Sequence, residues 1–184
     1  MAYIAQFSGQ VVPLFTVSDK PILFLMGIAV GLVAGIFEEL GWTGFTVPTL
    51  LRLPYGVLST GLIVGVLWGA WHFFVNFWGS GVTSGELSLA IFLPVWLLGT
   101  LVGSLTAYRV LMVWVYERTG SLLLAILMHV SLASFTFILT PPLGGAPYWV
   151  IGFAYAAALW VVVAAVAVAQ DGHLSRQPLP RRVT

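Results

Sequence analysis

Cysteine is absent from this 184-residue chain, which excludes disulfides, thiol nucleophiles and thiolate metal sites. Charged residues are also scarce, at 7% of the sequence, whereas 60% of the residues are hydrophobic. So little polar surface cannot coat a water-soluble globule, and the composition is that of a polytopic membrane protein. The seven basic and six acidic residues form no basic run, so we expect no binding to nucleic acid.

Polar and proline-rich segments divide the chain into apolar stretches, each long enough to cross a bilayer core of roughly 30 Å. The stretches are residues 21–46, 55–78, 88–115, 121–140 and 147–169. The sequence therefore predicts an all-α fold, a transmembrane bundle of about five helices. Residues 1–20 are a short N-terminal segment and residues 21–170 form the helical domain. Residues 171–184 are expected to be a basic, disordered cytoplasmic tail.

Basic residues are unevenly distributed between the two sides of the predicted bundle. Lys20 falls on one side, and the other side receives Arg52, Arg109, Arg118, Arg176, Arg181 and Arg182. The positive-inside rule then places the C-terminus in the cytoplasm of a multi-pass cell-membrane protein. The first eighteen residues lack a basic start and contain Pro13, so they make a poor signal peptide. From Gln170 onward the chain is predicted to be solvated, with His173 taking no part in chemistry.

Small residues recur every four positions in the first three predicted helices. The runs are Gly27, Gly31 and Gly35, then Gly61, Gly65 and Gly69, and finally Gly99, Gly103 and Ala107. One such motif is common in membrane helices and carries little weight. Three consecutive runs indicate that neighbouring helix backbones are in close contact.

Ionisable side chains within the predicted spans are Glu38, Glu39, His72 and His129. A charge at the bilayer centre costs on the order of 2.5–3.5 kcal/mol, so such residues indicate function. At about 100° per residue, Glu38 lies within roughly 20° of the direction of Gly27. His72 stands in the same relation to Gly61, and Glu39 is turned about 100° further, to the edge of the packed face. Glu38 is thus the better candidate for chemistry, and Glu39 for a supporting role.

One carboxylate and two imidazoles in a shared cavity can activate water, and a histidine can donate a hydrogen bond to an oxyanion. His129 continues a stripe of small residues on its own helix, so it too is predicted to face the bundle. The same trio can instead bind a divalent metal such as zinc, relay protons, or form a structural network. These residues require no cofactor. No HExxH helix, intramembrane aspartate pair or GxSxG elbow is present.

Three short motifs on separate predicted helices carry a family resemblance. They are residues 38–45 (EELGWTGF), residues 68–72 (WGAWH) and residues 118–133 (RTGSLLLAILMHVSLA). Each motif alone is weak, but their order and spacing are jointly specific. Over about residues 21–170, the sequence resembles the CAAX-protease and bacteriocin-processing (Abi) family of intramembrane glutamic endopeptidases.

The resemblance implies roles for the residues that match its motifs. Glu38 would be the general base for the hydrolytic water, and His72 would share in that activation. His129 would help to hold the oxyanion. Trp68, one helical turn before His72, would pack on its imidazole, and Glu39 would be supported by the arginine of the first motif.

Two positions depart from the family pattern. Thr43 stands where the family has arginine, so we expect the ion pair that would fix the glutamates to be missing. Ala133 stands where the family has asparagine, and loss of one oxyanion donor typically costs about 2.7–4 kcal/mol. Asn76 or Ser134 is the proposed substitute donor. Most family members also have helices before the first motif, so a minimal or truncated member is expected.

The leading hypothesis is an intramembrane endopeptidase, with a peptide substrate and the lipid bilayer as partners. Prenylated CAAX-type peptides and bacterial peptides are the two substrate classes that the resemblance implies. The alternative is a weak or inactive homologue that binds a peptide or acts as an immunity factor, which Thr43 and Ala133 favour. Proton-coupled transport is less favoured because the helices show no inverted repeat.

Overall fold

A computed structural model describes residues 18–139, 146–170 and 174. The predicted N-terminal segment before residue 18 lies outside the described residues. So does the predicted tail apart from Leu174, including His173 and the arginines beyond it.

Five helices in the described part of the chain are long and apolar enough to cross a membrane. They are α1 (Lys20–Leu51), α2 (Val57–Gly79), α3 (Leu89–Thr119), α4 (Leu122–Leu139) and α5 (Trp149–Ala169, whose first helical turn begins at Ala146). Residues 18–139 and 146–170 contain no β-strand. The predicted all-α transmembrane bundle is therefore confirmed.

Helix α1 is longer than the sequence predicts, because Pro48 does not end it. The α-helix Lys20–Gly41 passes into a π-helical segment, Trp42–Thr46, and then into a last α-helical segment, Val47–Leu51. Pro48 lies just after the π-helical segment inside this continuous helix, where it has no N–H to donate to the preceding turn. The polar separator predicted at Pro48 therefore begins only at Arg52.

Helix α3 is also longer than predicted and contains a π-helical segment. The segment Trp96–Leu105 joins the α-helices Leu89–Val95 and Thr106–Thr119. Helix α3 ends at Gly120, which has a left-handed backbone (φ 64°). Glycine adopts this conformation without strain, and it terminates helices. The extra length moves Arg109 well inside the span.

Helix α1 packs along α4 over most of its length through the first glycine run. A Cβ atom at Gly35 would lie 2.7 Å from Val130 Cγ2, and one at Gly31 would lie 2.7 Å from the Val130 carbonyl oxygen. No side chain fits at these distances without moving one of the helices. The close contact predicted from the Gly27–Gly35 run is confirmed.

Helix α2 packs along the second half of α3, and α5 covers the π-helical segment of α3. A Cβ atom at Gly65 would lie 2.8 Å from Thr106 Cα, so the backbones of α2 and α3 touch directly. A Cβ atom at Gly103 would lie 2.8 Å from Ala156 Cβ of α5. The second and third small-residue runs thus bring α2, α3 and α5 together.

Two described residues after α5, Gln170 and Leu174, contact the bundle. Arg118 Nη2 donates a 2.6 Å hydrogen bond to Gln170 Oε1. Leu174 is buried in an apolar cluster that joins Val47 of α1 to Val163 of α5. The disordered tail over residues 171–184 stays a prediction, while Gln170 and Leu174 each have a partner on the bundle.

Candidate active site

Glu39 lies on the fully buried line of α1, and Glu38 lies beside it, partly exposed. The buried residues follow a four-residue spacing: Leu23, Gly27, Gly31, Gly35 and Glu39. The sequence places Glu38 at the middle of this face and Glu39 at its edge, and that placement is wrong. The face drifts around the helix because α1 meets α4 along a ridge of residues four apart, not along one fixed direction.

Glu39 accepts hydrogen bonds from three other side chains of a buried polar cluster. Arg109 donates from Nη1 to Oε2 and from Nη2 to Oε1, both at 2.8 Å. His129 Nδ1 lies 2.7 Å from Oε1, and the Thr43 hydroxyl donates to Oε2. The Arg109 and Glu39 side chains are both fully buried. Such a two-pronged, charge-assisted pair holds the carboxylate in one plane.

Arg109 is the residue of this cluster that sequence reasoning missed. The sequence assigns it to the cytoplasmic side with the other arginines, and that assignment is wrong. Ten residues of α3 follow it, so it lies about 15 Å inside the helix end. The ion pair expected to be missing because of Thr43 is therefore present, with its cation supplied by another helix. The available signal was a lone basic residue within an apolar stretch, residues 88–115.

Trp68 bonds to Glu38 and His72, two site residues that are partly exposed. Its Nε1–H donates a 2.7 Å hydrogen bond to Glu38 Oε2. His72 Nδ1 lies 2.9 Å from the Trp68 carbonyl oxygen. A carbonyl only accepts, so Nδ1 must carry a hydrogen, and Nε2 keeps its lone pair in the neutral ring. The predicted packing of Trp68 on His72 is confirmed, with ring centroids 5.2 Å apart in an edge-to-face arrangement.

The Trp68 indole also joins the two groups of residues. Its ring lies 4.2 Å from Arg109 Cζ, a cation–π distance, and its centroid lies 5.1 Å from that of the His129 ring. Trp68 is buried, so these contacts are shielded from water. The acid and the two imidazoles that the sequence selects on three helices therefore meet around one side chain. Their catalytic roles stay predictions.

His72 stands at a break in α2 that the sequence does not predict. The α-helices Val57–Trp71 and Phe73–Gly79 meet at this residue, whose backbone (φ −76°, ψ −6°) interrupts the regular helix. Asn76 Nδ2 donates a 2.8 Å hydrogen bond to the His72 carbonyl oxygen. The amide of Asn76 thus stabilises the break, which sets the direction of the imidazole.

The missing asparagine at Ala133 has no evident replacement in the cluster. Ala133 is partly buried on α4. Ser134 is buried in the α1–α4 interface, where it contacts Gly31. Gly31 lies eight residues before Glu39, or about 12 Å along α1, so Ser134 is distant from the cluster. Asn76 bonds to its own helix. Of the two proposed substitutes, Asn76 is the one next to a site residue.

Within residues 18–139, 146–170 and 174, no group of three or more His, Asp and Glu side chains is arranged to hold a metal ion. His72 and His129 each have Nδ1 bonded within the protein, which leaves Nε2 of each ring for a ligand or a reacting group.

Comparison with known proteins shows the family to which the chain belongs. The family model described as Type II CAAX prenyl endopeptidase Rce1-like matches residues 20–135, which include every member of the cluster. The chain is also similar to CAAX prenyl protease 2 of Methanococcus maripaludis, with 38% identity over 74 residues. That match covers 39% of this chain, and it spans about a quarter (24%) of the length of that curated relative.

No solved structure matches the chain significantly. The family model, however, covers more than half of the sequence and bears out the resemblance seen in the three motifs. This multi-pass membrane protein therefore belongs to the Rce1-like family of Type II CAAX prenyl endopeptidases.

Proposed function

We propose that the protein is an intramembrane endopeptidase that hydrolyses a peptide bond with water activated by Glu38 and His72. One observation carries the proposal: Trp68 holds both side chains, and both are partly exposed. Behind them, the Arg109–Glu39 pair is fully buried and has no access to a substrate. The accessible pair is therefore the one suited to react.

Glu38 accepts from Trp68 with Oε2, which leaves Oε1 to receive a proton from water. The water oxygen then bonds to the peptide carbonyl carbon, and the carbonyl electrons move to its oxygen. When the C–N bond breaks, the proton passes to the leaving amine. His72 shares in positioning and activating the water through Nε2.

His129 is suited to stabilise the oxyanion if it is doubly protonated. Its Nδ1–H is already directed at Glu39, so only a second hydrogen on Nε2 can reach a substrate oxygen. The Glu39 carboxylate, bound to this ring, balances the charge of such an imidazolium. In that protonation state the ring would offer a donor where the amide at position 133 is absent.

The name of the Methanococcus relative, CAAX prenyl protease 2, suggests a prenylated CAAX-type peptide as the substrate. Bacterial peptides are the other class to test.

We also propose that the C-terminus is cytoplasmic. Arg109 no longer counts toward the basic residues at either end of the bundle, because it lies inside α3. Arg52 and Arg118 still lie at the end where α1 and α3 finish, and Lys20 lies at the opposite end. The positive-inside rule then favours a cytoplasmic C-terminus.

Peptide cleavage by the purified, full-length protein tests the proposal. Glu38→Gln keeps the size of the side chain but removes the base, so we expect turnover to fall about 10²–10⁴-fold. Glu86→Gln, the same change at an exposed loop residue, is the matched control and should leave turnover unchanged. Wild-type turnover in Glu38→Gln would refute the proposal.

A chelator tests the part of the proposal that assigns activation of the water to side chains alone. We expect cleavage to be insensitive to a chelator, because Glu38 and His72 suffice to activate water. Loss of activity that added zinc restores would replace this mechanism with a metal-assisted one.

A weak or inactive homologue that binds a peptide or acts as an immunity factor is the second candidate. Ala133 favours it, whereas Thr43 no longer does, because Arg109 supplies the ion pair. In that case a cellular phenotype would survive Glu38→Gln and His72→Ala. The phenotype would instead be lost in Gly31→Leu, because the leucine side chain forces α1 away from α4.

A further inference from the structure

We propose that Arg109 of α3 is a positioning residue for the reaction, acting on His129 through Glu39 and on Glu38 through Trp68. This inference rests on the proposed function and deepens it. No motif that led to that function contains Arg109. Its place in the fold is what suggests the role, because one guanidinium contacts both the buried Glu39 and the Trp68 indole that binds the partly exposed Glu38.

The first arm of this arrangement runs from Arg109 to His129. Two parallel hydrogen bonds of 2.8 Å fix the plane of the Glu39 carboxylate. Glu39 Oε1 then takes the Nδ1–H of His129 at 2.7 Å. The direction of the imidazole, and hence of Nε2, depends on the orientation that the guanidinium gives to the carboxylate.

The second arm runs from Arg109 to Glu38. The guanidinium carbon lies 4.2 Å from the centroid of the Trp68 ring, so the charge holds the indole plane in place. The same indole donates its N–H to Glu38 Oε2 at 2.7 Å. Only a planar guanidinium can donate two parallel hydrogen bonds to Glu39 and also stack on the Trp68 ring. Lysine has neither the paired donors nor the planar surface.

A purely structural role is the competing explanation, because a buried glutamate requires a cation whatever the chemistry. The pair Glu39→Gln with Arg109→Met separates the two explanations. It removes both charges together, so no unpaired charge stays buried, and methionine fills similar space. If Arg109 and Glu39 only neutralise each other and neither positions a reacting group, this double variant keeps wild-type turnover.

The experiment compares the wild type, Arg109→Lys and the double variant, each as the full chain in lipid nanodiscs. Thermal unfolding and steady-state cleavage of a prenylated CAAX peptide are measured for each. We expect the double variant to unfold near the wild-type temperature with kcat lowered about 100-fold and KM nearly unchanged, because small misplacements of reacting groups have effects of that size. Arg109→Lys should also lose most of its kcat, whereas Arg52→Lys, at an exposed position, should lose none. Wild-type kcat in the double variant or in Arg109→Lys would overturn the proposal.

A second readout does not require turnover. In ¹⁵N-histidine-labelled protein, the Nδ1–H of His129 should give a downfield proton signal that Arg109→Lys shifts or abolishes and Arg52→Lys preserves. An unchanged signal in Arg109→Lys would refute control of His129 by Arg109. If instead the wild type cleaves no peptide but the signal responds, the proposed function fails while the role of Arg109 in holding the site stands.

Discussion

The two sides of the Trp68 indole differ in exposure and in the way their charges are satisfied. On the buried side, Glu39 accepts two hydrogen bonds from Arg109 and one from His129, all of them closed to solvent. On the other side, Glu38 accepts from a neutral indole and remains partly exposed. Two adjacent glutamates thus have different surroundings, and only Glu38 is partly exposed.

Two consecutive residues of one helix thus provide a buried, paired carboxylate and a partly exposed one. A turn of about 100° carries the chain from Glu38 to Glu39, and with it from the partly exposed side of the helix to the packed side. A buried ion pair is costly to form and difficult to disturb, which suits a fixed support. A carboxylate that still meets water suits proton transfer.

The largest difference in stability is expected between Glu39→Gln and Glu38→Gln, which make the same substitution on the two sides of the indole. Glu39→Gln leaves Arg109 buried without a charged partner and should destabilise the protein by about 3–5 kcal/mol. Glu38→Gln should leave the thermal unfolding temperature nearly unchanged, since its partner is neutral. Thermal unfolding of the two purified variants measures the difference. Equal stability of the two would show that the sides do not differ as described.

Removing the link from Trp68 to Glu38 should have an intermediate effect on turnover. Trp68→Phe keeps an aromatic ring against His72 but deletes the N–H that donates to Glu38. Hydrogen bonds to charged groups are worth about 1.5–3 kcal/mol, so kcat should fall roughly 10- to 100-fold. Trp71→Phe, at an exposed position three residues on, is the control. A variant with full kcat would show that the indole N–H does not hold Glu38.

A smaller effect is expected from changing the packing that brings both sides together. Gly65→Leu must separate α2 from α3 at the Thr106 backbone and should cost about 1–3 kcal/mol of stability. Gly152→Leu on α5 is the matched control, because no atom lies within 4 Å of its added Cβ. Thermal unfolding checks both variants. A Gly65→Leu protein as stable as the control would contradict the close contact of α2 with α3.

The fold could be predicted because its determinants are local. Long apolar stretches set the number of spans, and the four-residue glycine spacing set which faces pack. The helix ends were less accessible to prediction. Pro48 and Pro94 lie inside continuous helices, and the π-helical segments beside them depend on the packing of the whole bundle.

Most candidate site residues were found from their chemistry, but their partners on other helices were not. Glu38, His72 and His129 are conspicuous because they are ionisable within apolar stretches. The Arg109–Glu39 pair joins positions 70 residues apart, and no sequence spacing relates them. The hydrogen bond from Trp68 to Glu38 also crosses helices, so neither the division between the two glutamates nor their supports could be derived from one helix alone.

The most direct test is a double-mutant cycle on kcat with Glu38→Gln and His72→Ala. If both side chains act on one water, the second substitution removes nothing more, and the double variant should be no slower than the slower single variant. Losses that multiply would mean that the two residues act independently, which contradicts a shared site around Trp68.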